Sequence, residues 1–377
     1  MIHMNRTLFA TLALGLVAGS QAQIPDLLSA FDAGGRSLGM GTSIGVTSAN
    51  TTSALNNPAG LGFVNSSQLS LTFKNLNESK TSIARRLLPN GDFESSATSG
   101  KRSLTHVGFT KPLGKRGTLG ISYTVGGFIR DLQTGTNLVE GGTTFNDYRR
   151  TLKAKTDFFT LSVGRSNSDF TRSFGIGIVL ANSYAAENII SNVSNGSNFS
   201  VLRSDTEGST YGIGFVVGTQ LNLSGDLTLG LSARTPISLS GDDESEAIYD
   251  KIPGRVSAGL AKRIQNPRRA EDFIIAGVQG DYYFGGSDKR IIERGDSQFA
   301  GGFGFEYNYR LRNAYIPFRI GFRTIQKGGT GFSNLSGFNY GIGYNPDSSN
   351  LGIELDFGNY SGGGRDMSLS LSYRFKN

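Results

Sequence analysis

The chain contains 377 residues and carries 37 Lys and Arg against 30 Asp and Glu, which gives a formal net charge of +7. It has no Cys and only 2 His, which excludes disulfide scaffolds, thiolate metal centres and cysteine nucleophiles and leaves little material for histidine chemistry. Glycine accounts for 53 residues without a collagen-like repeat, and 25 Phe with 14 Tyr argue against a disordered chain.

The N-terminus has the pattern of an export signal. Arg6 precedes a short apolar run (8–18), and Ser20 and Ala22 then form a small-x-small cleavage pattern. The run is much shorter than the roughly 20 residues of a membrane-spanning helix. We therefore predict a cleaved signal peptide over residues 1–22 and an exported protein, which can remain in a membrane only as a closed barrel.

Residues 23–66 are not strand-like, and they contain two short motifs rich in glycine and small residues. The first motif consists of Gly35, Arg36, Gly39, Met40 and Gly41, and the second of Asn57, Pro58, Ala59, Gly60 and Leu61. Glycine at this density permits tight turns and close backbone packing, and the Asn-Pro step favours a turn. We predict that this segment folds inside the lumen of a wide barrel.

From about residue 68 onward, apolar and polar residues alternate with the period of two that β-strands require. In the last strand, large apolar residues from Met367 to Phe375 alternate with Ser and Arg. The pattern predicts about fourteen strands of roughly ten residues, the length of a tilted membrane-crossing strand. The predicted strands are 68–77, 101–112, 117–128, 154–165, 172–184, 209–223, 226–235, 254–263, 272–284, 298–310, 314–323, 335–344, 350–357 and 366–375.

Short connections between these strands alternate with long ones, such as 113–116 followed by 129–153 and 166–171 followed by 185–208. Outer-membrane barrels join their strands in this way. A soluble β-sandwich shows the same residue alternation, with its apolar face in the core, and is the alternative. We predict an all-β fold, a transmembrane antiparallel β-barrel of about fourteen strands over residues 67–377, in contact with outer-membrane lipid and lipopolysaccharide.

The two motifs, placed after a signal and just before the first strand, resemble the start of the long-chain fatty-acid transporter family (FadL) and of the related PorV-like outer-membrane proteins. The resemblance implies a bacterial outer-membrane barrel whose N-terminal segment forms a hatch. Members of the first kind pass hydrophobic molecules inward by diffusion, and members of the second kind serve protein secretion. It therefore implies passive transport of a fatty-acid-like or hydrocarbon-like molecule through an apolar pocket between hatch and wall. A secretion-system component with protein partners and a structural membrane protein are the alternatives.

Gly126 and Gly127 interrupt the third predicted strand. Glycine pairs in strands often mark a bulge or a bend. In the fatty-acid transporters a kinked strand opens a lateral gap to the membrane, and the resemblance implies the same role for this pair.

The alternation places a set of charged side chains toward the lumen. They are Lys74, Arg234, Asp281, Glu306, Arg319, Arg323, Glu354, Asp356 and Arg374. These charges either pair with one another, which would fix the hatch and satisfy buried charge, or attract anionic head groups such as carboxylates. Pairing is the interpretation that we favour.

The sequence does not indicate an enzyme. In the predicted mature chain the one histidine is His106, and no serine or acid can be assigned to it as a catalytic partner. The glycine motif lacks the ending of a phosphate loop, and the acidic cluster at 242–246 fits no calcium-loop spacing. Basic residues occur only in pairs such as Arg149 and Arg150. We predict no catalytic residues, metal, cofactor or nucleic-acid partner.

Overall fold

The computed structural model describes residues 34–76, 93–97, 102–140, 143–195, 198–224, 226–241, 251–285, 297–326, 335–347, 351–360 and 365–375. The predicted signal peptide (1–22) and residues 23–33 of the predicted hatch lie outside these ranges, so both stay predictions. Among the described residues, no helix has the length and apolar character that crossing a membrane would require.

In the described part of the chain, three short helical segments precede the strands. They are the α-helices α1 (Gly35–Gly39) and α2 (Ser53–Asn56) and the 3-10 helix η1 (Pro58–Phe63). Pro58 begins η1, where its fixed φ suits the first helical position, and the Oδ1 atom of Asn57 accepts a hydrogen bond from the Ala59 N–H at 3.2 Å. The second sequence motif is therefore the cap and body of η1.

Within the described ranges, the rest of the chain forms strands. They are β1 (Gln68–Leu76), β2 (Phe93–Ala97), β3 (Arg102–Pro112), β4 (Gly117–Glu140), β5 (Thr143–Ser166), β6 (Arg172–Asn195), β7 (Asn198–Ser224), β8 (Leu227–Arg234), β9 (Ile237–Ser238), β10 (Lys251–Ile252), β11 (Gly254–Gln265), β12 (Phe273–Phe284), β13 (Ser297–Arg310), β14 (Ala314–Gln326), β15 (Leu335–Pro346), β16 (Leu351–Tyr360) and β17 (Arg365–Arg374).

Fourteen of these strands form a closed antiparallel barrel. Each wall strand pairs with two neighbours, and β1 closes the ring by pairing with β17 from Gln68↔Arg374 to Leu76↔Asp366. β2 adds to the side of β4, and β9 and β10 form a separate hairpin. The predicted barrel is confirmed, and each predicted strand overlaps an observed wall strand. The sandwich alternative is wrong, because a sandwich packs two sheets face to face whereas these fourteen strands form one closed ring.

Two predicted long connections are wrong. The segment 129–153 continues β4 and β5 as a paired hairpin that runs to Glu140↔Thr143. The segment 185–208 likewise continues β6 and β7 to Asn195↔Asn198. These four strands have 24 to 27 residues, more than twice the roughly 9–11 that a bilayer crossing needs. They therefore project beyond the rest of the wall.

The two faces of the wall have opposite polarity. Large apolar side chains point outward and are well exposed, such as Phe174 at 60%, Ile213 at 63% and Ile320 at 56%. Inward positions carry small polar side chains such as Thr160 and Ser162, which are buried. An apolar outer belt around a polar interior is the arrangement of a membrane barrel, because lipid covers the outside.

The barrel has two distinct ends. We call one the turn end, since it carries short connections such as 113–116 and 311–313. We call the other the loop end, and it carries 235–253 and 285–296 together with the projecting hairpins.

We expect the closed ladder to survive SDS at room temperature, because a ring has no strand edge from which to separate. The protein in mild detergent should then migrate faster on an unboiled SDS gel than after boiling. Equal mobility in both lanes, with the protein in the soluble fraction, would contradict the barrel.

Candidate functional site

Residues 34–66, which we call the lumen segment, lie against the inward face of the wall on strands all round the ring. A Cβ atom would come too close to this segment at the wall positions Gly120, Gly164, Gly175, Gly218, Gly230, Gly259, Gly277, Gly302, Gly304 and Gly321. Because these positions carry no side chain, the backbone of the segment packs directly on the strands. The glycines of the wall thus form the surface against which the lumen segment packs.

The first sequence motif contacts β13, β14 and β17. Met40 is fully buried, and its carbonyl lies over Gly304 and Gly321. Gly41 has a φ of 62°, and a Cβ atom on it would lie 2.6 Å from the Phe322 carbonyl oxygen. Both its conformation and its contact therefore require glycine. On the same side, the Gly35 N–H donates to Ser370 Oγ at 3.0 Å.

The second sequence motif contacts β4 to β7. The Asn57 amide donates to the carbonyl oxygens of Val46 at 2.7 Å and Thr219 at 3.3 Å, so it links two parts of the lumen segment to β7. Ser173 Oγ on β6 donates to the Ala59 carbonyl at 2.6 Å. Leu61 is fully buried beside the inward glycines of β4 and β5.

A buried ion network joins the lumen segment to the opposite part of the wall. Arg36 contacts Glu306 through two hydrogen bonds of 2.8 and 2.9 Å. Arg319, whose side chain has no exposed area, contacts Glu306 at 2.7 Å, Glu354 at 2.7 Å and Asp356 at 3.1 Å. These charges from α1, β13, β14 and β16 are paired with one another, which is how a buried charge is tolerated.

The other predicted lumen charges differ in burial. Lys74, Arg234, Asp281 and Arg323 are buried at inward positions, whereas Arg374 is exposed at the turn end.

Asp281 belongs to a second polar group, in which Ser257 Oγ donates to it at 2.5 Å and Gln279 at 3.0 Å. Gln279 also accepts the Val46 N–H at 2.9 Å. This group therefore gives the lumen segment a further attachment to β12.

Sequence reasoning missed Arg255, which is buried on β11 as the ladder partner of Arg234. Its guanidinium donates to the Asn56 carbonyl at 3.1 Å. The signal was present in the sequence, since the same period of two that places Val256 outward places Arg255 inward.

His106 lies on β3 beside two threonine side chains. It is fully buried, and its Nδ1 lies 3.1 Å from Thr124 Oγ1 while its Nε2 lies 3.5 Å from Thr51 Oγ1. Among the described residues, no group of three or more His, Asp or Glu side chains could hold a metal ion.

A cavity of about 160 Å³ lies between the lumen segment and strands β1, β16 and β17 near the turn end. Its lining includes Arg36, Asn50, Ser70, Glu354 and Arg374. The lining of this cavity is mixed, because Ile44, Leu69 and Leu371 also belong to it, whereas the sequence led us to expect an apolar pocket between segment and wall.

The wall ladder is interrupted between β3 and β4. Their pairing stops at His106↔Thr124, although β3 continues to Arg102 on the β1 side and β4 continues on the β5 side. The β4 ladder with β5 shifts register between Val125 and Gly127. A bulge therefore lies at the glycine pair 126–127, and in the described residues no ladder bonds join β3 to β4 beyond it. On the same side of β4, pairing resumes with β2 from Ala97↔Asp131 to Phe93↔Gly135, so the interruption is bounded at both ends.

The inner border of this interruption carries apolar side chains beside the buried polar side chains of His106 and Thr124. Phe158 and Val125 are almost completely buried there. A Cβ atom on Gly126 would collide with the Phe158 ring, so the glycine allows the ring to lie against β4.

No protein-family model and no curated protein sequence matches this chain. Solved structures do match its fold. A FadL homologue from Pseudomonas aeruginosa is 15% identical, with a TM-score of 0.59 over 95% of this chain and 100% of that chain. The CymD monoaromatic hydrocarbon channel is 12% identical, with a TM-score of 0.59 over 93% of this chain and 99% of that chain.

The toluene transporter TodX of Pseudomonas putida is 13% identical, with a TM-score of 0.57 over 87% of this chain and 95% of that chain. Identities this low establish the fold alone. The chain has the fold of the FadL-like outer-membrane barrels, as its two motifs predicted.

We expect Arg319→Met to lower the free energy of unfolding by about 3–5 kcal/mol, because it leaves three buried carboxylates without their common cation. The measurement is guanidinium unfolding of the folded barrel in detergent micelles. Arg203→Met is the matched control, since the Arg203–Asp205 pair is exposed and should give no measurable change. Equal stability of Arg319→Met and the unaltered protein would contradict the pairing.

Proposed function

We propose that this chain is an outer-membrane channel through which hydrophobic small molecules pass by passive diffusion. The observation that carries the proposal is the interrupted ladder between β3 and β4, which would give the lumen a side exit toward lipid. In this proposal the lumen segment acts as the hatch, because it touches strands all round the ring and is fixed by the Arg36–Glu306 pair.

The chemistry beside the interruption suits an apolar molecule. Phe158 and Val125 border it on the inside, whereas the Arg319 network lies across the ring on β13 to β16. A molecule that leaves sideways therefore avoids the Arg319 network, although the Arg234 guanidinium lies against the Phe158 ring. It also avoids the cavity at the turn end, where an apolar solute would displace water from polar groups such as Asn50 and Glu354 without replacing its hydrogen bonds.

The comparisons support the proposal at the level of fold. The similar structures are titled as a hydrocarbon channel and a toluene transporter, and they share this barrel over most of their length. The exposed apolar belt and the predicted signal peptide favour the bacterial outer membrane, with lipid and lipopolysaccharide around the wall.

A component of a protein secretion system is the second candidate. The observation that favours it is the sheet of β4 to β7 beyond the wall, where Phe199 and Val201 are 80% and 69% exposed. A protein partner would cover such side chains. Affinity capture that repeatedly returns one exported protein, lost in a Phe199→Ser/Val201→Ser variant, would favour this candidate over transport.

The transport proposal is tested by uptake. Cells that make this protein should accumulate radiolabelled toluene or oleate several-fold faster than cells with an empty vector. Arabinose serves as a polar control, and its uptake should not change. The proposal would be overturned if both kinds of cell took up each apolar probe at the same rate while heat-dependent mobility showed that the barrel had assembled.

We expect the Gly126→Val/Gly127→Val variant to slow uptake of the same probes by several-fold while the barrel still assembles. The side chain added at Gly126 would press on Phe158, and the double change would straighten the bulge that separates β4 from β3. Gly280→Val is the matched control, since its nearest neighbour atom would lie at an ordinary 3.5 Å. Normal uptake by an assembled double variant would exclude the glycine pair as a gate.

A further inference from the structure

Two neighbouring connections at the turn end are joined by a buried carboxylate. Asp272, in the connection between β11 and β12, accepts hydrogen bonds from the Tyr307 hydroxyl at 2.5 Å and from the Arg310 N–H at 2.9 Å. Its side chain is almost completely buried, and Arg269 Nε lies 3.4 Å from it. The connection 266–272 is therefore fixed against the end of β13.

This attachment places a positive charge on the outward face of the barrel. Phe305 points outward from β13 and is half exposed, so Tyr307 and Tyr309 point the same way. The guanidinium carbon of Arg269 lies 4.3 Å from the centre of the Tyr309 ring, and Arg269 Nη2 donates to the Arg310 carbonyl at 2.9 Å. The Arg269 side chain remains 44% exposed. Its charge is thus held at the edge of the apolar belt.

Lys262 supplies a second outward charge, two strands away on β11. Leu260 and Ile264 are exposed on the outward face, and Lys262 between them is exposed on the same face. Its ladder partners are Leu227 and Ala276, neither of which is acidic. A cation among the outward apolar residues of a membrane barrel is stabilised when an anion in the membrane neutralises it.

The outward face of β12 forms a groove between these two strands. Ala276 lies between Lys262 and Phe305 in the ladder, and its side chain is smaller than either neighbour. Because neighbouring strands lie roughly 4.8 Å apart, positions 262 and 305 are separated by roughly 10 Å. Val278 continues the groove along β12 into the apolar belt, and it is half exposed. The groove therefore runs from a charged edge into an apolar surface.

The charged edge, residues 262–272 and 311–313, is what we call the basic rim. Its exposed cations are Lys262, Arg263, Arg268, Arg269 and Arg312, against Glu271 as its exposed acid. The basic rim therefore carries a net positive charge. A phosphate group would complement it, because guanidinium and ammonium groups form charge-assisted hydrogen bonds with phosphate.

We propose that the basic rim and the groove along β12 bind one anionic phospholipid of the inner leaflet. Its phosphate would lie between Lys262 and Arg269, and one acyl chain would lie along Ala276 and Val278. The leaflet follows from the topology, because outer-membrane barrels have their short connections on the periplasmic side. The site requires the membrane location proposed above and does not depend on transport.

Native mass spectrometry of the barrel released from detergent micelles tests the site. The probe is dioleoylphosphatidylglycerol, and dioleoylphosphatidylcholine is the zwitterionic lipid with identical chains. We expect the phosphatidylglycerol adduct to form at a several-fold lower lipid concentration, and the Lys262→Gln/Arg269→Gln variant to lose this preference. Lys115→Gln/Arg116→Gln is the matched control, since it removes the same charge from the exposed connection 113–116 and should keep the preference.

Arg269 also contacts Asp272, so a second variant separates lipid binding from folding. Lys262→Gln alone should weaken the phosphatidylglycerol adduct several-fold while the heat-dependent mobility stays the same. An unchanged adduct in Lys262→Gln would overturn the site, as would equal binding of the two lipids or equal loss of the preference in the control variant. Displacement of phosphatidylglycerol by water-soluble glycerol phosphate at the same concentration would also overturn it, because the groove would then contribute nothing.

Discussion

Arg319 is the buried charge on which the arrangement of the interior depends. It contacts Glu306, Glu354 and Asp356, so in their ionised forms the wall alone holds one cation against three carboxylates. An uncompensated buried charge costs several kcal/mol. Arg36 brings a second cation from the lumen segment to within 2.8 Å of Glu306. The excess negative charge of the wall therefore favours binding of the lumen segment, and the Arg36–Glu306 ion pair attaches the segment to the wall.

The strands of the wall could be predicted from the sequence because lipid and lumen impose opposite polarity on the two faces of every strand. That constraint is local, and it repeats every second residue. The wall glycines were visible in the same pattern, for example at Gly302 and Gly304. The pattern did not show why glycine stands at these positions. The reason is that Met40 and Gly41, which are distant in sequence, pack against them in the folded barrel.

The rest of the structure was not predictable from alternation. The hairpins at 129–153 and 185–208 extend beyond the bilayer, so neither face contacts lipid and neither needs to be apolar. The alternation that identifies a membrane strand is therefore lost there, while the backbone pairing continues. The inward path of β9 and β10 had a different cause. Ile237 and Ile252, which are buried there, carry little signal in a short connection, and the space that accepts Ile237 is made by Gly212 and Gly214 on β7.

These features together limit the routes through the proposed channel. The lumen segment touches strands all round the ring, and β9 lies against the inward glycines of β7, so the interruption beside Gly126 offers a side route in the described part of the wall. Energetics favour the same route for an apolar solute. An aromatic group buries roughly 150–250 Å², and at ~25 cal/mol per Å² its transfer from water into lipid is worth about 4–6 kcal/mol. A hydrophobic molecule in this lumen would therefore partition sideways into the membrane before it crossed the turn end.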